Sequence, residues 1–241
     1  LAISGDFDVA EQTNLDWGLS GNLSVGGLLT GMASVSNAAI LGGAGRHLAI
    51  DGSGARWLNG GDINVVVGYN TSSALLSITN GAVLSGADGY IGWGSGSANN
   101  AVLVSGAGSV WTNRGGDLHV GVYPSGTNLV DAGGGNTLTV EDGAWVLVGE
   151  VQTNLPGGGI LVASTNGAQL VVGRGTARVD GTLHLGLDAA TTGTNTIRNG
   201  GTVVVGDLAV AGGSLLDLQS GGTFAIATNF DARTAGFNWG E

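Results

Sequence analysis

The residues in this sequence that could do chemistry are a few histidines and scattered carboxylates. The chain has three histidines, seven Lys and Arg residues together, and no cysteine. His119 and His184 each stand between apolar neighbours on an alternating stretch, and such spacing predicts outward-facing surface histidines. A metal centre or an acid–base site needs partner groups that converge in space, and no spacing around His47, His119 or His184 signals them. We therefore predict no metal ligand, cofactor-binding residue or catalytic residue.

One pair of carboxylates invites a test for glycosidic chemistry. Asp62 and Asp117 occupy equivalent positions in an internal repeat, so a repetitive fold could bring them close together. Repetitive β folds that cleave polysaccharides gather Arg, Lys or several Asp in one groove. This chain has no lysine and no Asp-x-x-Asp-Asp run. We interpret both aspartates as corner residues that cap turns.

Two glycine-rich segments resemble functional motifs only in part. Residues 133–138 read Gly-Gly-Gly-Asn-Thr-Leu, part of a calcium-binding nonapeptide, but Asn136 is out of register with the aspartate ligand. Such sites work as arrays, so a single imperfect copy predicts no bound calcium. Ser95 lies in Gly94-Ser95-Gly96 without the strand–turn–helix setting of a nucleophile, which indicates a spacer loop.

The elements that would position any site come from a repeat. The ten residues from Leu48 recur from Val102 at an offset of 54. The recurrence pairs three motif residues, Gly52, Gly54 and Trp57, with Gly106, Gly108 and Trp111. Repetition on this scale predicts stacked units that share one core. An offset of 54 fits three coils of about 18 residues or two of about 27.

Short apolar strands ended by single glycines continue along the rest of the chain. They predict an all-β protein, a single parallel β-helix with aromatic-containing terminal segments. Parallel crossovers are expected to be right-handed. A sandwich or barrel is the alternative, and the long-range repeat with single-glycine corners argues against it. Roughly 9 to 13 coils would give a rod of about 45–60 Å.

Composition excludes several classes. With 49 glycines, only 2 prolines and 42% hydrophobic residues, the chain is neither collagen nor disordered. A net charge of −11 repels nucleic acids and anionic membranes. No apolar run reaches the length of a membrane span. The first residue is Leu1, from which we expect an exported chain with its signal removed, or a fragment.

We divide the chain into three parts. Residues 1–45 are predicted as an N-terminal capping segment with the first coils, 46–159 as tandem repeats containing Trp, and 160–241 as C-terminal coils with a terminal segment. Aromatic residues near both ends are predicted to cap the coil or to mediate self-association: Phe7, Trp17, Phe224, Phe230, Phe237 and Trp239. Four central tryptophans either pack in corners or form a sugar-stacking stripe: Trp57, Trp93, Trp111 and Trp145.

The Gly-x-Gly-x-x-Trp element at 52–57, with its partner ending at Trp111, resembles a known repeat. Together with the strand Asp117–Gly121 and the corner Leu76–Val83, it resembles the autotransporter and PEP-CTERM-associated β-helix repeats of bacterial surface proteins. The resemblance covers about residues 46–150. It implies an exported parallel β-helix that is often repeated within long surface proteins. The membrane barrel and the sorting segment that accompany such repeats are not found in this sequence, so the route of secretion stays open.

These observations predict a non-enzymatic extracellular structural protein. A rigid β-solenoid would form a surface stalk, layer or filament by stacking head to tail on its own copies. The alternative is an adhesin or glycan-binding module that uses loops 94–100 and 124–136 to hold a polysaccharide or a host surface. A polysaccharide lyase or hydrolase ranks last.

Overall fold

The structure is a computed structural model. Backbone and side chains are described for residues 44–45, 47–58, 64–114, 116–149 and 160–228, and the backbone alone for 2–3, 7–8, 22–25, 28–30, 38–41, 229–232 and 236–239. Within these ranges every regular element is a strand. The described residues include no helix that is long and apolar enough to cross a membrane.

The strands are short and follow one another at close intervals along the chain. In chain order they are β1 (Ala2–Ile3), β2 (Phe7–Asp8), β3 (Asn22–Val25), β4 (Leu28–Thr30), β5 (Ala38–Leu41), β6 (His47–Asp51), β7 (Arg56–Leu58), β8 (Asn64–Tyr69), β9 (Leu75–Thr79), β10 (Val83–Gly86), β11 (Gly89–Trp93), β12 (Ala101–Ser105), β13 (Val110–Asn113), β14 (Leu118–Val120), β15 (Val122–Ser125), β16 (Asn128–Asp131), β17 (Thr137–Glu141), β18 (Trp145–Val148), β19 (Ile160–Val162), β20 (Ala168–Gly173), β21 (Thr176–Leu185), β22 (Gly193–Arg198), β23 (Thr202–Val210), β24 (Leu215–Leu218), β25 (Thr223–Ala232) and β26 (Gly236–Trp239).

Two large sheets run side by side, and each coil of the chain passes through both. The first sheet has ten parallel strands in the order β1-β3-β6-β9-β12-β17-β20-β22-β24-β26. The second has two columns, β2-β4-β7-β10-β13-β18 and β5-β8-β11-β14-β19, which we call column one and column two. Both columns join β21, which pairs with β18 through one half and with β19 through the other. The prediction of an all-β chain of stacked parallel strands, a solenoid-like fold, is confirmed.

The register fixes the length of a coil. Leu48 pairs with Leu76, and Leu76 pairs with Val102, so these coils are 28 and 26 residues long. The 54-residue offset thus spans two coils rather than three. The next pairing, Val102 with Leu138, is 36 residues apart because an antiparallel hairpin of β15 and β16 is inserted. Towards the C-terminal end, Asn195 and Leu216 lie one coil of 21 residues apart.

The core is a set of ladders in which equivalent positions of successive coils stack. Leu48, Leu76, Val102, Leu138 and Leu170 form one ladder on the first sheet, and each has at most 1% of its surface exposed. Alternation along each short strand directs these side chains inward. Contiguous stacking of aliphatic groups excludes water along the whole described core.

Tryptophans take two different environments. Trp57, Leu84 and Trp111 are in register in column one, and both indoles are fully buried. The packing interpretation therefore fits Trp57 and Trp111. Trp145 is 44% exposed and lies on the outer side of the same column, and Trp93 is partly buried. An exposed stripe of all four is not what the structure contains.

One corner of the coil is closed by buried asparagines. Asn100 and Asn136 are fully buried, and Asn100 Nδ2 donates to Asn136 Oδ1 at 3.1 Å. Asn136 Nδ2 donates to the backbone oxygens of Ser97 and Gly133 at 2.9 and 2.6 Å. The Asn136 side chain considered for calcium is thus turned into the corner. Gly68 has a φ of +83°, and a Cβ at this position would stand 2.1 Å from Asn100 Cγ, so only glycine fits beneath the amide.

Candidate functional site

The outer side of column two carries the chain's chemistry-bearing side chains. In β14 the neighbours Leu118 and Val120 point into the core, so His119 between them points outward. Register then stacks Tyr90, His119, Leu161 and His184 one above another on four consecutive strands. We call these four residues the outward row. Successive side chains in such a row are about 4.8 Å apart.

His119 is held by its neighbours in this row. Its imidazole stacks on the Tyr90 ring with the centroids 5.0 Å apart and the planes 2° from parallel. Only 7% of the residue is exposed, so the prediction of a surface histidine is wrong for His119. The ring does point away from the coil, but the adjacent rows cover it. His184 is exposed, as predicted, and His47 lies on the first sheet with Nε2 2.8 Å from Ser77 Oγ.

Two aspartates surround this pair of rings. Asp117 Oδ2 lies 3.9 Å from His119 Nε2, beyond direct hydrogen-bond distance. Asp88 accepts a hydrogen bond from the Asp117 backbone N–H at 2.9 Å and another from the Tyr90 hydroxyl at 3.1 Å. Asp88 thereby orients the Tyr90 ring on which His119 stacks.

Burial sets the charge of the site. It lowers the pKa of His119, and the nearby carboxylates of Asp117 and Asp88 oppose the shift only in part. Burial likewise lowers the pKa of His184. The pKa of Tyr90 is raised by burial and by Asp88. At neutral pH both imidazoles are therefore uncharged and the tyrosine is protonated.

A cavity of about 350 Å³ opens beside the outward row. Its polar lining comes from Asp117, His119, Thr182 and His184. Leu129 of the hairpin and Leu187 supply apolar walls, and each is 39% exposed. The volume lies at the lower end of the range of small-molecule sites.

One atom at this cavity has no counterpart within the described part of the chain. His119 Nδ1 is buried, and no described residue forms a hydrogen bond with it. Buried polar atoms nearly always have a partner, so an unpaired one points to a group that the chain itself does not supply. Sequence reasoning gave no hint of this, because solvent exposure of His119 was the expectation.

Aromatic residues extend the site towards the hairpin. Trp93 meets the Tyr90 ring edge to face at 4.5 Å and lies 6.1 Å from the Tyr123 ring at the base of the hairpin. The predicted binding loops 94–100 and 124–136 are neighbours: the Asn99 backbone N–H donates to the Gly134 oxygen at 2.9 Å. Loop 124–136 supplies a cavity wall through Leu129, whereas Ser97 and Asn100 of the first loop are buried in the corner.

The paired carboxylates are not the predicted pair. Asp62 lies outside the described residues, and the aspartate that contacts the Asp117 backbone is Asp88. Asp88 was missed because it follows Ala87 instead of glycine, and it belongs to the coil between the two repeat copies. Halving the 54-residue offset would have pointed to it.

The other predicted positions distribute as follows. Gly52, Gly106 and Gly108 have positive φ angles of 101°, 91° and 83° and turn the corner before each buried Trp; Gly54 lies in the same turn as Gly52. Phe224 is partly buried and packs against the core, in register with Val203. Phe7, Phe230, Phe237 and Trp239 lie on strands whose side chains are not described, and Trp17 lies outside the described residues. Their part in self-association stays a prediction.

Comparisons with known proteins give little further information. No protein-family model matches the chain, and no curated protein matches it. A solved structure described as "Crystal structure of TibC-catalyzed hyper-glycosylated TibA55-350 fragment" aligns over 95% of this chain and 93% of that one. The two are 12% identical, with a TM-score of 0.14. This neighbour is an autotransporter fragment, but a likeness at that level supports no argument about fold or function.

Proposed function

We propose that this chain is a non-enzymatic structural protein of the cell exterior, a rigid rod that holds or spaces other components. The observation that supports this most is the stack of parallel strands over one continuous buried core. We further propose that the strands form a single right-handed parallel β-helix, related to the β-helix repeats of bacterial surface proteins that the Gly-x-Gly-x-x-Trp element resembles.

Stiffness in this proposal comes from interactions that repeat along the axis. Each strand donates and accepts main-chain hydrogen bonds with the coils on both sides, and each core ladder is fully buried. Bending the rod would open these ladders on one face and lose many interactions at once. Ten strands in the first sheet, stacked about 4.8 Å apart, give a length of about 45 Å.

Self-assembly end to end is the proposed way in which such rods extend. Among the described strands, β26 pairs with β24 alone and so presents a main-chain edge. An edge of this kind pairs readily with a strand of another copy, and head-to-tail contacts generate open filaments.

Small-angle X-ray scattering over a concentration series, with negative-stain electron microscopy, tests the proposal. We expect a rod-like distance distribution whose longest dimension grows with concentration while the cross-section stays constant. A compact, near-spherical distribution would refute the rod. Monodisperse monomers at every concentration would refute assembly and leave the rod standing.

Glycan recognition by an adhesin is the second candidate. It is favoured by one observation, a cavity that combines polar and apolar walls next to a cluster of aromatic rings. A glycan array probes it directly, with no hits as the result that would remove this candidate. A polysaccharide-cleaving enzyme ranks third, and a cleavage assay that shows turnover would reverse that order.

A further inference from the structure

The cavity between the hairpin and the outward row has a lining that selects among ligand classes. We infer that it binds a neutral sugar unit of a glycan, and this inference rests on the glycan-binding function proposed second above. Neither the scaffold role nor the repeat resemblance requires such a site.

The polar groups in the lining suit hydroxyls. Asp117 offers acceptors, His184 and His119 each offer imidazole nitrogens, and Thr182 offers a hydroxyl that donates and accepts. A ligand hydroxyl placed between His119 Nε2 and Asp117 Oδ2 can bond both atoms across their 3.9 Å separation. Sugar hydroxyls both donate and accept, so they match a lining with mixed capacity.

His119 provides the second, independent sign of a ligand. The residue is 93% buried, and its Nδ1 has no hydrogen-bond partner among the residues that the structure describes. Leaving such an atom unpaired costs free energy that a bound polar molecule would recover. Tyr90 covers one face of the imidazole, so contact with a ligand has to come through the ring edge.

The apolar walls agree with a carbohydrate rather than a small ion. Leu129 and Leu187 stand partly exposed at the cavity, and Leu161 lies between the two histidines. The carbon-bound hydrogens of a sugar ring pack against such surfaces, while the few polar groups fix its orientation. A bare cation or a water-sized anion would leave these leucine walls unused.

Charge separates neutral sugars from charged ones. Both imidazoles are uncharged at neutral pH because burial lowers their pKa values, which leaves Asp117 as the ionised group of the lining. With a chain charge of −11, anionic sugars are repelled. Ammonium groups are recognised by several aromatic faces, whereas the walls of this cavity are aliphatic apart from the imidazoles.

Nuclear magnetic resonance of ¹⁵N-histidine-labelled protein tests the inference, with cellobiose, lactose and N,N′-diacetylchitobiose as neutral probes. Digalacturonic acid and choline serve as the anionic and cationic probes. We expect at least one neutral disaccharide to shift the His119 and His184 ring signals in a saturable way. His47, on the other sheet, is the internal control and should not move.

Three variants sharpen the result. His184→Ala, at an exposed position that the fold tolerates, should weaken binding about tenfold or more, as expected for one lost hydrogen bond. Trp145→Ala, an exposed aromatic on column one, should leave binding unchanged. Asp117→Asn keeps the shape and one acceptor, so it should weaken neutral-sugar binding less than His184→Ala does.

Several outcomes would overturn the inference. One is the absence of any His119 or His184 shift with all three neutral disaccharides at tens of millimolar. Equal movement of His47 would show non-specific association. Binding of choline that Asp117→Asn abolishes would make this a cation site instead. The scattering experiment above is independent of all these results, so loss of the sugar site would leave the rod untouched.

Discussion

Replacement of Asn100 by alanine tests whether the buried asparagine corner stabilises the coil. Asn100 is fully buried, and its Oδ1 accepts a hydrogen bond from the Ala74 backbone N–H at 2.9 Å. Its Nδ2 donates to the Thr71 oxygen and to Asn136 Oδ1, both at 3.1 Å. Alanine removes all three bonds and strands the Ala74 N–H, which belongs to a residue that is 1% exposed.

The magnitude follows from these contacts. A buried N–H without a partner costs about 1–3 kcal/mol, and each of the two lost donor bonds contributes about 0.5–1.5 kcal/mol. Asn136 Oδ1 keeps one partner, the Asn100 backbone N–H at 3.0 Å, and the Thr71 oxygen lies in a half-buried residue that water reaches. We therefore expect Asn100→Ala to lower the free energy of unfolding by about 2–5 kcal/mol.

Two measurements should agree on this loss. Urea unfolding followed by tryptophan fluorescence reports on Trp57 and Trp111, both fully buried. Amide hydrogen exchange at Ala74 reports the same corner locally, and a loss of about 3 kcal/mol should speed it roughly a hundredfold. The local measurement is needed because unfolding of a stacked-coil protein need not be two-state.

Asn128→Ala is the matched control, since Asn128 is exposed at the hairpin and should change stability by less than about 0.5 kcal/mol. Asn100→Asp keeps the shape but points an acceptor at two oxygens, so it should destabilise strongly at neutral pH and recover when acid protonates the carboxyl. If Asn100→Ala costs no more than Asn128→Ala, and Ala74 stays protected, the corner does not stabilise the coil as argued.

Four further predictions follow from single sites. Asn195 is fully buried between Leu170 and Leu216 in its ladder, and its amide has no partner among the described residues, so Asn195→Leu should raise the unfolding free energy by about 1–3 kcal/mol; a lower melting temperature would contradict this. Gly68 and Gly96 have φ angles of +83° and +82°, but a Cβ meets the Asn100 side chain only at Gly68, so Gly68→Ala should destabilise more than Gly96→Ala in denaturant titrations; equal effects would show that the backbone angle alone decides. The lowered pKa of His119 means that the unfolded chain binds the proton more tightly, so stability is present above the ordinary histidine pKa of about 6.5 and is lost as the pH falls through it; His119→Phe should flatten that decline in unfolding midpoints, and an unchanged slope would count against it. Trp57→Ala should cost about 3–5 kcal/mol and Trp145→Ala less than about 1 kcal/mol, because one indole is fully buried and the other 44% exposed; similar losses by calorimetry would contradict the burial assigned to them.

The sequence predicted the class of fold because the signals for it are local. Gly52 and Gly106 adopt positive φ angles at corners, and Trp57 and Trp111 stack through Leu84 inside the coil, as a repeat of stacked units requires. Coil length could not be predicted, since an offset of 54 divides evenly in two ways. Register decides it, and register depends on pairing between distant strands, which no local pattern encodes.

The cavity was hidden for a related reason. Tyr90, His119 and His184 share one row, yet they stand 29 and 65 residues apart, so no constant period aligns them. Insertions between the strands change the spacing from coil to coil without changing the stack. One such insertion, the β15–β16 hairpin, also carries Leu129 to the cavity and Tyr123 to Trp93.

Regular coils and irregular loops therefore have different physical roles in this molecule. A position that repeats in every coil is fixed by the core ladders, and a change there alters the stability of the rod. A position that interrupts the repeat is free of that constraint, so it can carry a side chain outward to form a wall or a polar group. The coil that contains His119 has the longest of the described spacings between paired first-sheet strands, 36 residues from Val102 to Leu138. The binding site proposed above lies where the repeat departs most from its own period, and a search of similar sequences should begin at such departures.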